Sequence, residues 1–222
     1  MASAPSTRSR KFTEERAGRF RFRFRPDPLT NGRSRVIITG KEVIPMHEVT
    51  LRNGEKMLIR KIVPDDAEAM LAYLRQVGSE SDNLLFGAEG VPYTLEQERD
   101  MLAKIADAKT STMLCGVVGG TIIAVVNINA PTRERIAHTS EIGVSVLKRY
   151  WHQGVATHMI TALIDFAKAT GVIKVVHLAV RSDNVRAIGV YERLGFVPIG
   201  RYGKQLCIRG EFVDTILMNL YL

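Results

Sequence analysis

The sequence predicts an α/β domain, a mixed sheet with helices on both faces, behind a basic N-terminal extension. Three observations carry that prediction. From about residue 46 onward, segments of period two alternate with segments of period 3.6, in the order ββ-α-α-βββ-α-β-α-ββ. Asn53-Gly54 and Gly119-Gly120 stand between strand-like runs, as hairpin turns do. And Glu141–Thr157, EIGVSVLKRYWHQGVAT, opens as a strand and closes as the first turn of a helix.

Each element has its own warrant. Val49–Arg52 and Met57–Lys61 flank the first turn. Pro64 sits at a helix start with Asp65 and Asp66 behind it, where acidic residues suit the positive end of the helix dipole. Ala67, Met70, Leu71 and Leu74 form that helix's apolar face, and Gly78–Tyr93 reads as a loop carrying Glu80, Asp82 and Glu89. Thr94 with Gln97 is a capping box, opening a helix through about Ala108. Met113–Val118 and Thr121–Asn129 make the second hairpin, and Pro131–Arg135 a basic loop. In the central strand Ile142, Val144 and Val146 share one face, Gly143 and Ser145 the other. The following helix runs to about Ala169 with Gly171 as its C-cap. Val172–Val180 is an apolar strand, and Arg181-Ser182-Asp183-Asn184 turns into a helix that Gly195 stops. Phe196–Gly200 and Gln205–Asn219 supply the last strands.

Charge divides the chain. Residues 1–45 hold 11 Lys and Arg against 4 Asp and Glu, so they supply +7 of the net +8. They read as a flexible extension, with a domain over 46–222. Arg19–Arg25 alternates Arg and Phe strictly. It is either a strand packing three phenylalanines on the body or, within residues 8–35, an arm touching nucleic acid or an anionic surface. No apolar run approaches the ~18 residues of a membrane helix, and no apolar segment follows the basic N-terminus as a secretory signal would. Cys115 and Cys207 lie in apolar runs and read as buried free thiols, which fits a reducing, cytoplasmic setting. No His/Cys spacing supports a metal site.

The Glu141–Thr157 segment is where chemistry concentrates. A helix N-terminus carries unpaired N–H groups and about half a positive charge, so Gln153, Gly154, Val155, Ala156 and Thr157 offer an anion cradle. Many purely structural strand–turn–helix units look the same. The Gly-x-Gly-x-x-Gly and Gly-Lys-Ser/Thr nucleotide motifs are missing here.

VSVLKRYWHQGVAT together with RSDNVRAIGVYERLGF resembles the two central motifs of the Gcn5-related N-acetyltransferase (GNAT) superfamily. The first is similar to its acyl-CoA pyrophosphate motif, Arg/Gln-x-x-Gly-x-Gly/Ala, and the second to its Asn…Ala…Tyr-x-x-x-Gly-Phe segment. GEFVDTILM is similar to its closing strand. The likeness spans about residues 49–222. It implies the GNAT acyl-CoA N-acyltransferase fold, with a mostly antiparallel central sheet flanked by helices, and transfer of acetyl from acetyl-CoA to a primary amine by direct attack in a ternary complex, without a metal. Trp151 departs from the pattern, standing where the family has Arg or Gln, which puts a side-chain contact to the cofactor there in doubt.

Such a transfer must take a proton from the amine, hold an oxyanion and let a thiolate leave. The resemblance implies that the central strand splays from its neighbour and binds pantetheine through Val144, Ser145 and Val146, where a backbone N–H would hold the oxyanion. Glycine within a strand marks a bulge or a close approach, and Gly143 is the case here. Glu141 is the candidate base, against a plain salt bridge or amine-binding role; His138 is the second candidate and water a third. Tyr191 is the candidate general acid, against simple packing. Asn184 is expected to contact the cofactor, against a role as N-cap. The acceptor stays open: Glu80, Asp82 and Glu89 favour a cationic amine, while Arg133, Arg135, Arg201 and Lys204 favour an acidic one. A small-molecule amine is the first reading. A protein N-terminus or lysine is the second, and a non-catalytic acetyl-CoA-binding module the third. Homodimerisation stays open as well.

Overall fold

The computed structural model describes residues 47–222, together with the backbone at 38–39 and 42–43, where β1 (Ile38–Thr39) and β2 (Glu42–Val43) pair antiparallel. The expectations for the basic extension, including Arg19–Arg25 and the contacts of residues 8–35, lie outside the described residues.

The main sheet has eight strands. They are β3 (His47–Thr50), β4 (Lys56–Lys61), β5 (Thr112–Val118), β6 (Thr121–Asn129), β7 (Thr139–Val146), β8 (Val175–Arg181), β9 (Val197–Ile208) and β10 (Glu211–Tyr221). Their spatial order is β3-β4-β5-β6-β7-β8-β10-β9. Every neighbouring pair is antiparallel except β7 and β8. This is the mixed, mostly antiparallel sheet expected from the element order. The single parallel pair needs a crossover, and α3 (Val155–Thr170) provides it.

Helices α1 (Ala67–Glu80) and α2 (Leu95–Ala106) precede β5, and α4 (Val185–Arg193) follows β8. Tyr73 of α1 reaches Ser145, on the odd-numbered face of β7. Ile142, on the even face, shares an apolar pocket with Ile160, Leu163 and Ile164 of α3. Gly195, just past α4, lies against Leu220 of β10, on the α3 side. Helices therefore cover both faces. Met159, Ile160 and Leu163 are fully buried in the layer between sheet and α3, each worth about 1.5–3 kcal/mol on removal from water. On the other side Asp66, in a 3-10 turn Pro64–Asp66, takes two bonds from the Arg60 guanidinium at 2.6 and 2.7 Å and one from Val63 N–H at 2.9 Å. Burial pushes the Asp66 carboxyl up, but these donors outweigh it and hold it below its ordinary range. The capping box is present, Thr94 accepting from Gln97 N–H, and Gly171 caps α3 at φ 67°.

Four expectations need correction. Helix α1 runs through Gly78 to Glu80, because the following loop crosses the helix there: a Cβ on Gly78 would lie 2.0 Å from the Gly87 carbonyl oxygen. Glu80 is thus helical. Strand β8 starts only at Val175, since Gly171–Lys174 complete the turn out of α3. The last two strands form one long hairpin, turning at Arg209 and Gly210 with φ of 51° and 84°, so the break read near Arg201–Lys204 is absent. An edge strand needs no apolar run to persist, and β9 is exposed along most of its length. For the same reason Cys207, on β9, is exposed; Cys115 is buried, and burial pushes its thiol up to about 12.

Candidate active site

The site forms where the sheet comes apart. β7 and β8 are in register for three pairs only, Thr139↔Val175, Ser140↔Val176 and Glu141↔His177. Beyond them β7 stays with β6 as far as Val146, while β8 stays with β10 as far as Arg181. The two half-sheets part in the direction both strands run.

The backbone on the parting edge follows from strand parity. Leu147 N–H donates to Ile123 C=O, so residues 143, 145 and 147 aim their peptide groups at β6. Val144 and Val146 aim theirs into the opening. Ser145 therefore pairs its backbone with β6 and presents its side chain to the other face, where it accepts from Tyr73 Oη at 2.8 Å. Gly143 is a close approach and not a bulge. The β6–β7 register is continuous, and a Cβ on Gly143 would stand 2.5 Å from Asn127 Oδ1.

At the end of β7 the chain makes a 3-10 turn, Lys148–Tyr150, and enters α3 through Gly154. Gly154 has φ 85°, in the left-handed region, and a Cβ there would meet nothing closer than 3.8 Å. Glycine is needed here for the sign of φ and not for space. Outside the loop, the β3–β4 turn braces it: Arg52 N–H donates to Gln153 C=O and Arg52 Nη1 to His152 C=O, both at 3.3 Å. With those carbonyls turned outward, the N–H groups of Val155, Ala156 and Thr157 open α3 without helix acceptors. Trp151 sits inside the turn, its indole Nε1 donating to Val146 C=O at 2.8 Å. The residue that breaks the sequence pattern is a strut between strand end and cradle.

On the odd-numbered face, Glu141 is exposed and makes no hydrogen bond or ion pair among the described residues. His138 is also exposed. It sits one residue before β7, and its carbonyl accepts from Lys174 and Val175 N–H. Tyr191 packs edge-on against Phe196, ring centroids 5.7 Å apart, and its hydroxyl has no partner among the described residues. Burial pushes that hydroxyl up to about 12, so it stays protonated. Asn184 is the N-cap of α4, its Oδ1 accepting from Ala187 N–H at 3.2 Å.

The charges expected to choose the acceptor are largely engaged with the protein itself. Glu80 takes Lys148 N–H at 2.6 Å and Gln76 Nε2 at 3.0 Å. Asp82 accepts from Arg209 at 2.9 and 3.0 Å, and its carbonyl from Arg181 at 3.0 Å. Glu89 takes Gly87 N–H at 2.8 Å, and Arg201 binds Asp214 at 2.8 Å. Arg133 and Arg135 precede β7, at the end opposite the cradle.

Sequence reasoning missed Tyr73, Asn127 and His177. The signal for the last two is a polar residue within an apolar strand, IIAVVNIN and VVHLAV, on the same face as Gly143 or Glu141.

The model described as the Acetyltransferase (GNAT) family matches residues 81–196, which hold both parting strands, the cradle and Tyr191. An acetyltransferase of the GNAT family from Streptococcus pneumoniae superposes with a TM-score of 0.73 at 30% identity, over 75% of this chain and 99% of that one. YncA of Salmonella typhimurium, solved with its cofactor acetyl-CoA, superposes at 0.66 and 18% identity over 75% and 94%. A ribosomal-protein-alanine N-acetyltransferase from Brucella melitensis does so at 0.65 and 19%, over 74% and 99%. The last two share the fold. None of the curated proteins matches the chain by sequence. Parted strands, cradle and likeness together define an acetyltransferase. The chain belongs to the GNAT family.

Proposed function

We propose that this protein moves the acetyl group of acetyl-CoA onto a primary amine by direct attack in a ternary complex, and that the acceptor is a small-molecule amine. The observation that carries the proposal is one strand serving two sides. The free backbone edge of Val144 and Val146 leads into the N-terminus of α3, while Glu141 stands unpartnered on the odd face where β7 and β8 part.

Acetyl-CoA brings the thioester, and the residues of this chain handle binding and protons. Gln153, Gly154, Val155, Ala156 and Thr157 form the pyrophosphate loop, and their N–H groups suit an anion at a helix start. Val144 and Val146 offer one N–H donor each to the pantetheine arm and the developing oxyanion. Asn184 keeps its amide nitrogen for the cofactor while its oxygen caps α4. Glu141 draws a cationic amine and promotes loss of its proton. Tyr191, kept protonated by burial, gives a proton to the leaving sulfur. Arg181 and Arg209 hold the α1–α2 loop at Asp82, and a fixed loop suits a compact amine better than a folded protein chain. Two free thiols support a reducing, cytoplasmic location.

The test has two parts. Acetyl-CoA at ~100 times its Kd is expected to stabilise the fold by about 2.7 kcal/mol, a visible melting shift, and Gly154→Glu to abolish it by placing an anion at the cradle. A panel of small amines and N-terminal peptides, read by release of free CoA, then ranks acceptors. An unmoved melting curve at saturating acetyl-CoA sinks the cofactor assignment, and turnover confined to peptides sinks the small-molecule acceptor.

A further inference from the structure

The last register row before the sheet parts is polar across four strands. Asn129 of β6 pairs with Glu141 of β7, Glu141 with His177 of β8, and His177 with Asn219 of β10. Register partners present their side chains on the same face, with neighbours about 5 Å apart. That face is the odd-numbered one, to which Tyr73 reaches and on which Glu141 stands. His177 thus lies between a free carboxylate and an amide.

The amide supplies an independent observation. Asn219 Oδ1 is buried and accepts no hydrogen bond among the described residues, although its Nδ2 donates to Tyr221 Oη at 3.3 Å. Buried acceptors are rarely left open, and an open one beside an imidazole is what a protonated ring nitrogen requires. His177 also makes no hydrogen bond or ion pair among the described residues. The ionisable groups sharing its face on the strands that flank it are Glu141 on β7 and Tyr221 on β10; on β8 itself it is Arg181. Arg181 is bound to Asp183 at 2.6 and 2.9 Å and to the Asp82 carbonyl. Two acceptors therefore flank the ring, and the one fixed cation on its strand is already neutralised.

We infer that His177 is the catalytic base of the acetyl transfer, and that Glu141 and Asn219 hold its protonated ring. This rests on the acetyltransferase reading above and names the group that receives the proton. The amine nitrogen bonds to the thioester carbonyl carbon as the C–S bond breaks. The C–S electron pair leaves on sulfur, which takes a proton from Tyr191. A cationic amine gives one proton to the His177 ring before it attacks, and that proton passes to solvent. The second, lost by nitrogen as the amide forms, follows the same route, and solvent returns a proton to Tyr191. His138 precedes β7 and lies outside this row.

The test is the pH profile of kcat at saturating acetyl-CoA and amine. The wild-type profile is expected to fall on the acid side, as a base that must be unprotonated to act requires. His177→Gln is expected to lower kcat by ~10²–10³ and to erase that limb, leaving the acetyl-CoA melting shift intact. Glu141→Gln, which keeps the ring but removes its carboxylate neighbour, is expected to move the limb to lower pH. It serves as a second test should His177→Gln not fold. A His177→Gln enzyme with wild-type kcat and an unmoved limb, still stabilised by acetyl-CoA, overturns the proposal and leaves the acetyltransferase reading standing. An unmoved limb in Glu141→Gln overturns it equally. A wild-type protein that acetyl-CoA does not stabilise overturns the acetyltransferase reading, and this proposal with it.

Discussion

Gly143→Ala tests the physical reason for a glycine in the middle of the central strand. The backbone does not require glycine there, since Gly143 is not among the positive-φ residues. What excludes a side chain is Asn127, directly opposite on β6, whose Oδ1 would lie 2.5 Å from the new methyl group. No real Cβ contact is that short, so the amide must swing aside or the strands must shift. Oδ1 is the far end of a flexible side chain, so the amide can swing aside at the cost of a displaced rotamer, about 0.5–1.5 kcal/mol. Replacing a strand glycine by alanine returns roughly 0.5–1 kcal/mol through the unfolded chain. The net expectation for Gly143→Ala is a change of less than about 1 kcal/mol in either direction. With Asn127→Ala in the background the clash is gone and only the gain remains, so the same substitution becomes stabilising by roughly 0.5–1 kcal/mol. Urea unfolding of wild type, both single variants and the double variant gives the coupling energy, expected at about 0.5–1.5 kcal/mol. Additivity within ~0.5 kcal/mol would show that Asn127 is not what keeps residue 143 bare.

Three further outcomes are expected. Trp151→Phe loses the indole bond to Val146 and strands a carbonyl, at about 1–3 kcal/mol; urea curves and acetyl-CoA titration are both expected to show the loss, and a variant unchanged in both means the strut is idle. Tyr191→Phe is expected to lower kcat by roughly 10- to 100-fold with acetyl-CoA binding kept, while an unchanged kcat returns Tyr191 to packing against Phe196. Glu98, on α2, is fully buried with neither oxygen hydrogen-bonded among the described residues, and burial raises its carboxyl above the ordinary 4.5. A raised folded pKa means its contribution is fully present below pH 4.5 and is lost as pH rises through the folded value. Glu98→Gln is therefore expected to raise the melting temperature more at pH 8 than at pH 4, and a gain that is flat with pH contradicts this account.

What could be read from sequence was what local rules determine. The hairpin glycines, the Thr94–Gln97 box, the Gly171 cap and the strand-to-helix passage at Gly154 each follow from one residue's backbone preference. The two faces of β7 follow from period two. What escaped depends on partners distant in sequence. Sequence places Glu80 in the loop that begins at Gly78; only the crossing of Gly87 shows why a glycine persists inside α1. His177 passed as part of an apolar strand because its neighbours in the row come from residues 129, 141 and 219. Parity along β7 is local but the direction of the opening is not: Leu147 bonding to Ile123 decides which peptide groups of Val144, Ser145 and Val146 face it.

The same distinction bears on the acceptor. Counting charges in sequence sets three acidic residues against four basic ones and leaves the preference open. Pairing changes the count. Glu80 anchors the start of the turn into the cradle, and Asp82 with Arg209 and Arg181 latches the α1–α2 loop. Arg201 is bound to Asp214, whose other oxygen takes Lys204 N–H. Where the partner is itself charged, as for Asp82 with Arg209 and Arg201 with Asp214, little net field reaches an incoming ligand, because the opposite charge lies within the same few ångströms; Glu80 and Glu89 are held by neutral donors and keep theirs. Glu141 remains, unpaired, on the row where the strands part. An amine that arrives as a cation meets that carboxylate first, and the imidazole beside it can take the proton that must be lost before nitrogen attacks. Screening for acceptors should therefore begin with compact cationic amines; if anionic acceptors turn over faster than cationic ones at low ionic strength, Glu141 does not set the field of the site.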